Sequence, residues 1–169
     1  MVTRAAHVED VILVAPKIII EDGFAGTLQA FATAGIQVGK NVSLNYPSVL
    51  CVYNQGEAEA KIAVAAGFNI NGAIVLFGND EAGIDRNSVE IDKGGRILGD
   101  IYCSGRLMLK SDVWGSVYAN RVFYRTISAG YENTLADVEI NTAKKPQYFI
   151  GIPLFKNSSV NYGMLKKLL

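Results

Sequence analysis

A chain of 169 residues, half of them hydrophobic, can enclose one sizeable core but not several. Sixteen basic side chains against sixteen acidic ones leave no net charge, which argues against electrostatic capture of nucleic acid or of an anionic membrane. No apolar run is long enough to span a bilayer, and the first residues, Met-Val-Thr-Arg-Ala-Ala-His, lack a signal-peptide pattern. They read either as native or as the scar of a truncation, and the second reading leaves room for a membrane anchor outside this sequence.

The first half of the chain alternates in character without losing phase. Even-numbered positions from Ile12 and Val14 through Ile18, Ile20, Phe24, Leu28, Ala34, Ile36 and Val42 to Val52 are mostly apolar or glycine, with Asp22 and Lys40 at predicted corners, whereas Lys17, Glu21, Gln29, Thr33 and Asn45 hold odd positions. Side chains on extended backbone point alternately to opposite faces, so this is strand periodicity. It runs straight through turn residues that would reset the phase of a sandwich. A chain that bends while keeping one face inward coils around its own core, which predicts an all-β, single-stranded β-helix (a β-solenoid).

A longer period supports that expectation. Asp22-Gly23 recurs eighteen residues later as Lys40-Asn41, and Lys93-Gly94 recurs as Ser111-Asp112 and then Ala129-Gly130. The second residue of each pair tolerates left-handed backbone, as a corner requires. Inward positions repeat with the same step: Ile18 with Ile36, Ile20 with Val38, Phe24 with Val42, and Ile91 with Leu109 and Ile127. Eighteen residues at roughly 3.3 Å each make a coil of about 60 Å, or three sides of about 20 Å, so the predicted cross-section is a triangle. Two loops interrupt the lattice. Ala66-Gly67 comes eight residues later than the lattice requires, with the insertion assigned to Asn54–Ala60, and Lys93-Gly94 about nine later, with Gly78–Asn87 as the loop. An odd-length second loop moves the inward phase to odd numbers, from Val89 through Ile101, Cys103, Leu107, Leu109 and Val113 to Ala119. Coils are expected over residues 8–140 of a single 1–169 domain, with a C-terminal cap over 141–169.

Groups with chemical potential are few. His7 is the only histidine and lies ahead of the first repeat, where a solvated side chain is the expectation. Cys51 and Cys103 form no C-x-x-C motif, so no metal or redox centre is expected, and Cys103 falls on the inward phase. Carboxylates cluster only in the loops, as Glu57 with Glu59 and Asp80 with Glu81 and Asp85. Oxygen ligands for calcium exist over Asn79–Asp85, but a solvated loop is the simpler reading. No catalytic residue, metal or cofactor is therefore expected.

Alignment of the corners makes two outer sides polar and one apolar. The apolar columns are Phe31, Val49, Val75 and Tyr102, then Thr33, Cys51, Phe77, Ser104 and Val122, with Tyr118 nearby. Such a stripe is rarely left bare. Candidate covers are Gln147–Phe155, the short amphipathic helix expected over Tyr162–Leu169, or a second copy. Trp114 is outward in phase and eighteen residues beyond Arg96, which suggests a cation–π pair. The candidate interaction surface is Phe31, Val49, Val75, Phe77, Tyr102, Trp114 and Tyr118.

Within Val89–Val122, the runs Gly99-Asp100-Ile101, Gly105-Arg106-Leu107 and Val113-Trp114-Gly115-Ser116-Val117 resemble the repeated G-D-[IV] and [IV]-x-G-x-[IV] pattern of bactofilins. That resemblance implies a triangular β-helical domain of a bacterial cytoskeletal protein that polymerises end to end without nucleotide. The chain is also similar, more vaguely, to the soluble β-helical parts of bacterial membrane-anchored proteins. Val38-Gly39-Lys40-Asn41-Val42 resembles a hexapeptide of the left-handed acyltransferases, whose reaction needs a histidine base that residues 8–140 do not supply. The expected function is a non-catalytic structural or assembly component of a bacterial cell, cytoplasmic or envelope-associated. Its partners would be a second copy or another envelope or cytoskeletal protein. The alternative is an envelope or cell-surface module that holds a glycan or another surface polymer on exposed aromatics.

Overall fold

A computed structural model of the chain describes residues 1–56, 58–78 and 86–151. These residues form twelve strands and no α-helix. The strands are β1 (Val11–Ile20), β2 (Ala25–Gly26), β3 (Leu28–Val38), β4 (Ser43–Asn54), β5 (Ala60–Val64), β6 (Asn69–Gly78), β7 (Asn87–Ile91), β8 (Arg96–Leu98), β9 (Ile101–Leu109), β10 (Asp112–Trp114), β11 (Val117–Arg125) and β12 (Gly130–Glu132). A 3-10 turn, Thr142–Lys144, follows. Every strand pair is parallel except the terminal hairpin β11–β12.

The pairing sorts into three ladders because the long strands bend and change partners. The first ladder runs β2–β4–β6–β8–β10 through the opening residues of β4 and β6. The second runs β1–β3–β4–β6–β9–β11. The third runs β1–β3–β5–β7–β9–β11 through the closing residues of β1, β3, β9 and β11. Strands β3, β4, β6, β9, β7 and β5 thus close on themselves in a six-strand cycle. One continuous core fills it, including Phe24, Phe68, Ile70, Ile74, Leu76, Ile97 and Ile101, all fully buried. Full burial of each such side chain is worth about 1.5–3 kcal/mol.

Left-handed backbone occurs at Gly23 (φ 72°), Asn41 (φ 55°), Gly67 (φ 80°) and Gly94 (φ 79°), the second residues of four predicted corners. The eighteen-residue step holds for Ile18↔Ile36, Ile20↔Val38 and Ile91↔Leu109. It does not hold throughout. Only one residue, Pro16, separates Ala15 from Lys17 where β3 has Thr33 and Ala34, so the phase of β1 flips at that bend. Leu13 and Ala15 therefore pack on the core, whereas Ile12 (64% exposed), Val14 (80%) and Ala34 face solvent, against the sequence-based expectation.

The eight extra residues before Ala66-Gly67 are split. Gly26 pairs with Leu44 but Gln29 pairs with Val49, which puts two of them in Asn45–Pro47. Ser48 makes that bulge tolerable, its hydroxyl donating to the Asn45 carbonyl (2.5 Å) and accepting from Leu28 N–H (3.2 Å). Asn54 and Ala60, assigned to the loop, are instead buried strand ends, and Asn54 Nδ2 donates to Asn87 Oδ1 (2.8 Å) and the Ala58 carbonyl (2.9 Å). The second loop has the predicted odd effect, shifting the pairing step to twenty-seven residues at Ala60↔Asn87 and Ile74↔Ile101. Its residues 79–85, the calcium candidates among them, lie outside the described residues.

Past Leu109 the step shortens to sixteen, as in Ile101↔Val117, and the predicted column fails: Ile127 is fully exposed. Ala129-Gly130 is no corner, because Thr126–Ala129 closes the antiparallel β11–β12 turn. The expected helix over 162–169 and the last four residues of Gln147–Phe155 lie outside the described residues.

Candidate functional site

The outer face of the second ladder carries a continuous apolar column, and register explains its composition. Val14 pairs with Phe31, Phe31 with Cys51, Cys51 with Val75, Val75 with Tyr102 and Tyr102 with Tyr118, one outward column across six strands. Phe31 (37% exposed) and Tyr118 (39%) stand out most on the predicted part of it. Val49 belongs one position away, in the row Ile12–Gln29–Val49–Ala73, because the two-residue bulge before Ser48 displaces it from Phe31. Beside the column, Phe77 stacks on Tyr102 with centroids 6.0 Å apart, and Tyr53 leans on Phe77 at 5.7 Å. Sequence reasoning placed Ile12 and Val14 inward rather than on this face, and it missed Tyr53. The signal for the first two was Pro16, one residue short of the bend opposite it.

The column is widest open at its N-terminal margin. The outer edge of β1 from Val11 to Lys17 has no strand partner among the described residues. Within residues 2–8, Val2 bridges Ile20 at the far end of β1, and Val8, ahead of β1, accepts from Thr27 N–H (2.9 Å) just before β3. Val2 is buried, so this segment is part of the fold, while His7 is exposed as expected.

Cys51 sits at the middle of the column, half-buried, and burial raises its thiol pKa. Cys103, facing the core from the same ladder, is pushed up to about 11 by desolvation.

Trp114 lies away from this face. It is on the first ladder opposite Leu98, and Arg96 reaches across to stack 3.9 Å from its ring centroid, as the spacing suggested. Lys144 covers the ring from another side at 5.0 Å. The indole Nε1 is buried without a hydrogen-bond partner.

Lys144 belongs to a C-terminal arm whose described part, Glu139–Gly151, docks at the bend between the first two ladders. Lys145 Nζ contacts both oxygens of the buried Asp100 carboxylate at 2.9 Å, and Asp100 Oδ1 also accepts from Ser116 N–H (2.9 Å). Phe149, buried, stacks on Tyr46 at 4.1 Å, and Tyr46 Oη donates to the Tyr148 carbonyl (3.3 Å) and accepts from Ile150 N–H (3.2 Å). Gln147–Gly151 is thus placed at this bend.

A groove of about 680 Å³ runs along the third ladder beneath Arg125–Ile127. Lys61, Glu90, Asp92, Lys110 and Arg125 line it, with Lys61 and Glu90 paired at 2.6 Å on the surface. The Lys61 and Glu90 side chains there are partly solvated. Among the described residues no group of His, Cys, Asp and Glu side chains is arranged to hold a metal ion. No family model, curated protein or solved structure matches the chain.

Proposed function

We propose that the chain is a triangular single-stranded β-helix serving as a non-catalytic structural component of a bacterial cell, and that it acts by self-association in the manner of a bactofilin-like scaffold. The three ladders, the parallel pairing and the left-handed bends at Gly23, Asn41, Gly67 and Gly94 support the β-helical reading. One observation carries the functional reading. The open edge of β1 presents Val11 (37% exposed), Ile12 (64%) and Val14 (80%), with Lys17 the only charge on the strand. Soluble proteins usually blunt such an edge with charge or cover it. Pairing β1 of two copies about a two-fold axis satisfies the free backbone groups and buries Ile12 and Val14 in one step. Because Val14 adjoins Phe31, the contact is continuous with the aromatic face.

Oxidative cross-linking tests this. In a Cys51→Ser background, Val14→Cys should form an interchain disulfide under mild oxidation much faster than Ser128→Cys at the exposed β11–β12 turn. Equal rates at the two positions would remove the edge contact.

The second reading, an envelope module that holds a glycan, draws on the Tyr53–Phe77–Tyr102 ring cluster. It predicts a monomer at all concentrations whose migration is retarded by a soluble polysaccharide, with the retardation lost in Phe77→Ala.

A further inference from the structure

The outer face of the third ladder is recessed along its whole length. Its outward column runs Ile19–Gln37–Ala63–Glu90–Met108 across five strands. Four steps of about 4.8 Å make this a run of about 19 Å, perpendicular to the strands. Gln37 lines both the groove of about 680 Å³ and a further recess beside Ile19, Glu21 and Gly39. Past Met108 a smaller recess continues toward Phe123 and Ser88. The floor is low because Gly39, Ala63 and Ala65 are small, and Ile127, fully exposed, forms an apolar lip.

Two cations in this trough lack a counter-charge. Lys61 is paired with Glu90 at 2.6 Å, and Asp92 Oδ1 accepts from Lys93 N–H (2.8 Å). Lys110 and Arg125 line the same groove, both exposed, and neither forms an ion pair among the described residues. An ammonium and a guanidinium so placed suit carboxylate oxygens supplied from outside.

The rest of the trough selects the kind of molecule that carries those carboxylates. An extended peptide joins a sheet by backbone pairing at an edge. Here the floor backbone is already bonded between strands, with Ala65 N–H donating to Val38, Asp92 N–H to Val64 and Lys110 N–H to Ile91. Only side chains remain to recognise a ligand. Three cations and two carboxylates are too nearly balanced for a phosphate backbone. The Gln37 amide and the Glu90 and Asp92 carboxylates accept from hydroxyls, while Met108 and Ile127 offer apolar contact to the C–H faces of sugar rings.

We propose that this trough binds a carboxylate-bearing polysaccharide, lying across the strands with its acid groups on Lys110 and Arg125. The site is distinct from the Tyr53–Phe77–Tyr102 cluster and on another side of the fold. It does not need the self-association reading, because the outer edge of β1 from Val11 to Lys17 and the second-ladder face stay uncovered.

Affinity electrophoresis of the full chain tests this in gels containing sodium polygalacturonate, with neutral dextran and poly-glutamate as comparisons. Each variant is referred to its own migration in a polymer-free gel, so its changed charge does not enter. Polygalacturonate should retard the parent, and dextran and poly-glutamate far less. Lys110→Gln with Arg125→Gln should weaken that retardation about tenfold. Ala63→Tyr, which fills the floor without altering charge, should weaken it as much, and Phe77→Ala should leave it unchanged. Circular dichroism identifies a variant that loses its strands, and the other groove variant then decides.

A parent that polygalacturonate does not retard overturns the proposal, as do folded groove variants that bind like the parent. Equal retardation by poly-glutamate overturns the assignment to a sugar, and equal retardation by dextran removes the role of the cations. Loss of binding in Phe77→Ala alone would move the glycan to the aromatic cluster and empty this site. A parent that dimerises through β1 yet is not retarded would sink this inference and leave self-association standing.

Discussion

Ile101 lies between Ile74 and Val117 on the second ladder with no exposed surface. A carboxylate there would have neither partner nor water, at a cost of several kcal/mol that a marginally stable domain cannot absorb. Ile101→Asp should leave little soluble protein, whereas Ile101→Val should lower stability by only about 1 kcal/mol in chemical denaturation. Gly99 is constrained by backbone instead: at φ 143°, an added Cβ would collide with the Gly72 carbonyl on the neighbouring strand. Cys103 gives a pH signature. Its folded pKa of about 11 lies above the ordinary value near 9, so the folded state keeps its proton longer than the unfolded state does. Stability from this thiol is fully present below pH 9 and is lost as pH rises through 11. Cys103→Ala should flatten that alkaline loss by roughly 2–3 kcal/mol. An unchanged alkaline limb in a pH series of urea melts would place the loss elsewhere.

Between strands, the same logic separates true loop from ladder. The stretch between β4 and β5 adds no strand pairing among its described residues, so replacing it with a tight turn while keeping Asn54 and Ala60 should shift stability by less than about 1 kcal/mol. Asn54→Ala should cost more, about 1–3 kcal/mol, because it leaves buried Asn87 without a donor. A thermal melt of both variants decides the ranking. The sequence misplaced this boundary because Asn54, read as turn chemistry, is polar yet buried beside another asparagine. Alternation and the Gly or Asn corners made the core strands legible from Ile18 to Val113. What alternation cannot reveal is a bend one residue shorter on one strand than on its neighbour. Pro16 and Asn45–Pro47 are such places, and they moved Ile12 and Val14 outward and Val49 off the Phe31 column. The terminal hairpin was invisible for a related reason: Gly130 suits a corner and a hairpin alike. The Arg96–Trp114 stack was readable because long side chains bridge a register error of two residues.

At the scale of the molecule, the two ends and the three sides are unequal. The second ladder has an apolar outer surface, and its margin at β1 is the longest open edge among the described residues. Net charge is zero, so no long-range repulsion opposes the approach of like molecules. Association through β1 should be insensitive to salt, unlike a contact built on surface ion pairs, and sedimentation at low and high ionic strength checks this. The most direct test of the structural-protein reading is light scattering over a rising concentration series, with the parent beside Val14→Lys. The account predicts a small closed oligomer for the parent and a monomer for the variant. A parent that remains strictly monomeric at the highest concentration would contradict it.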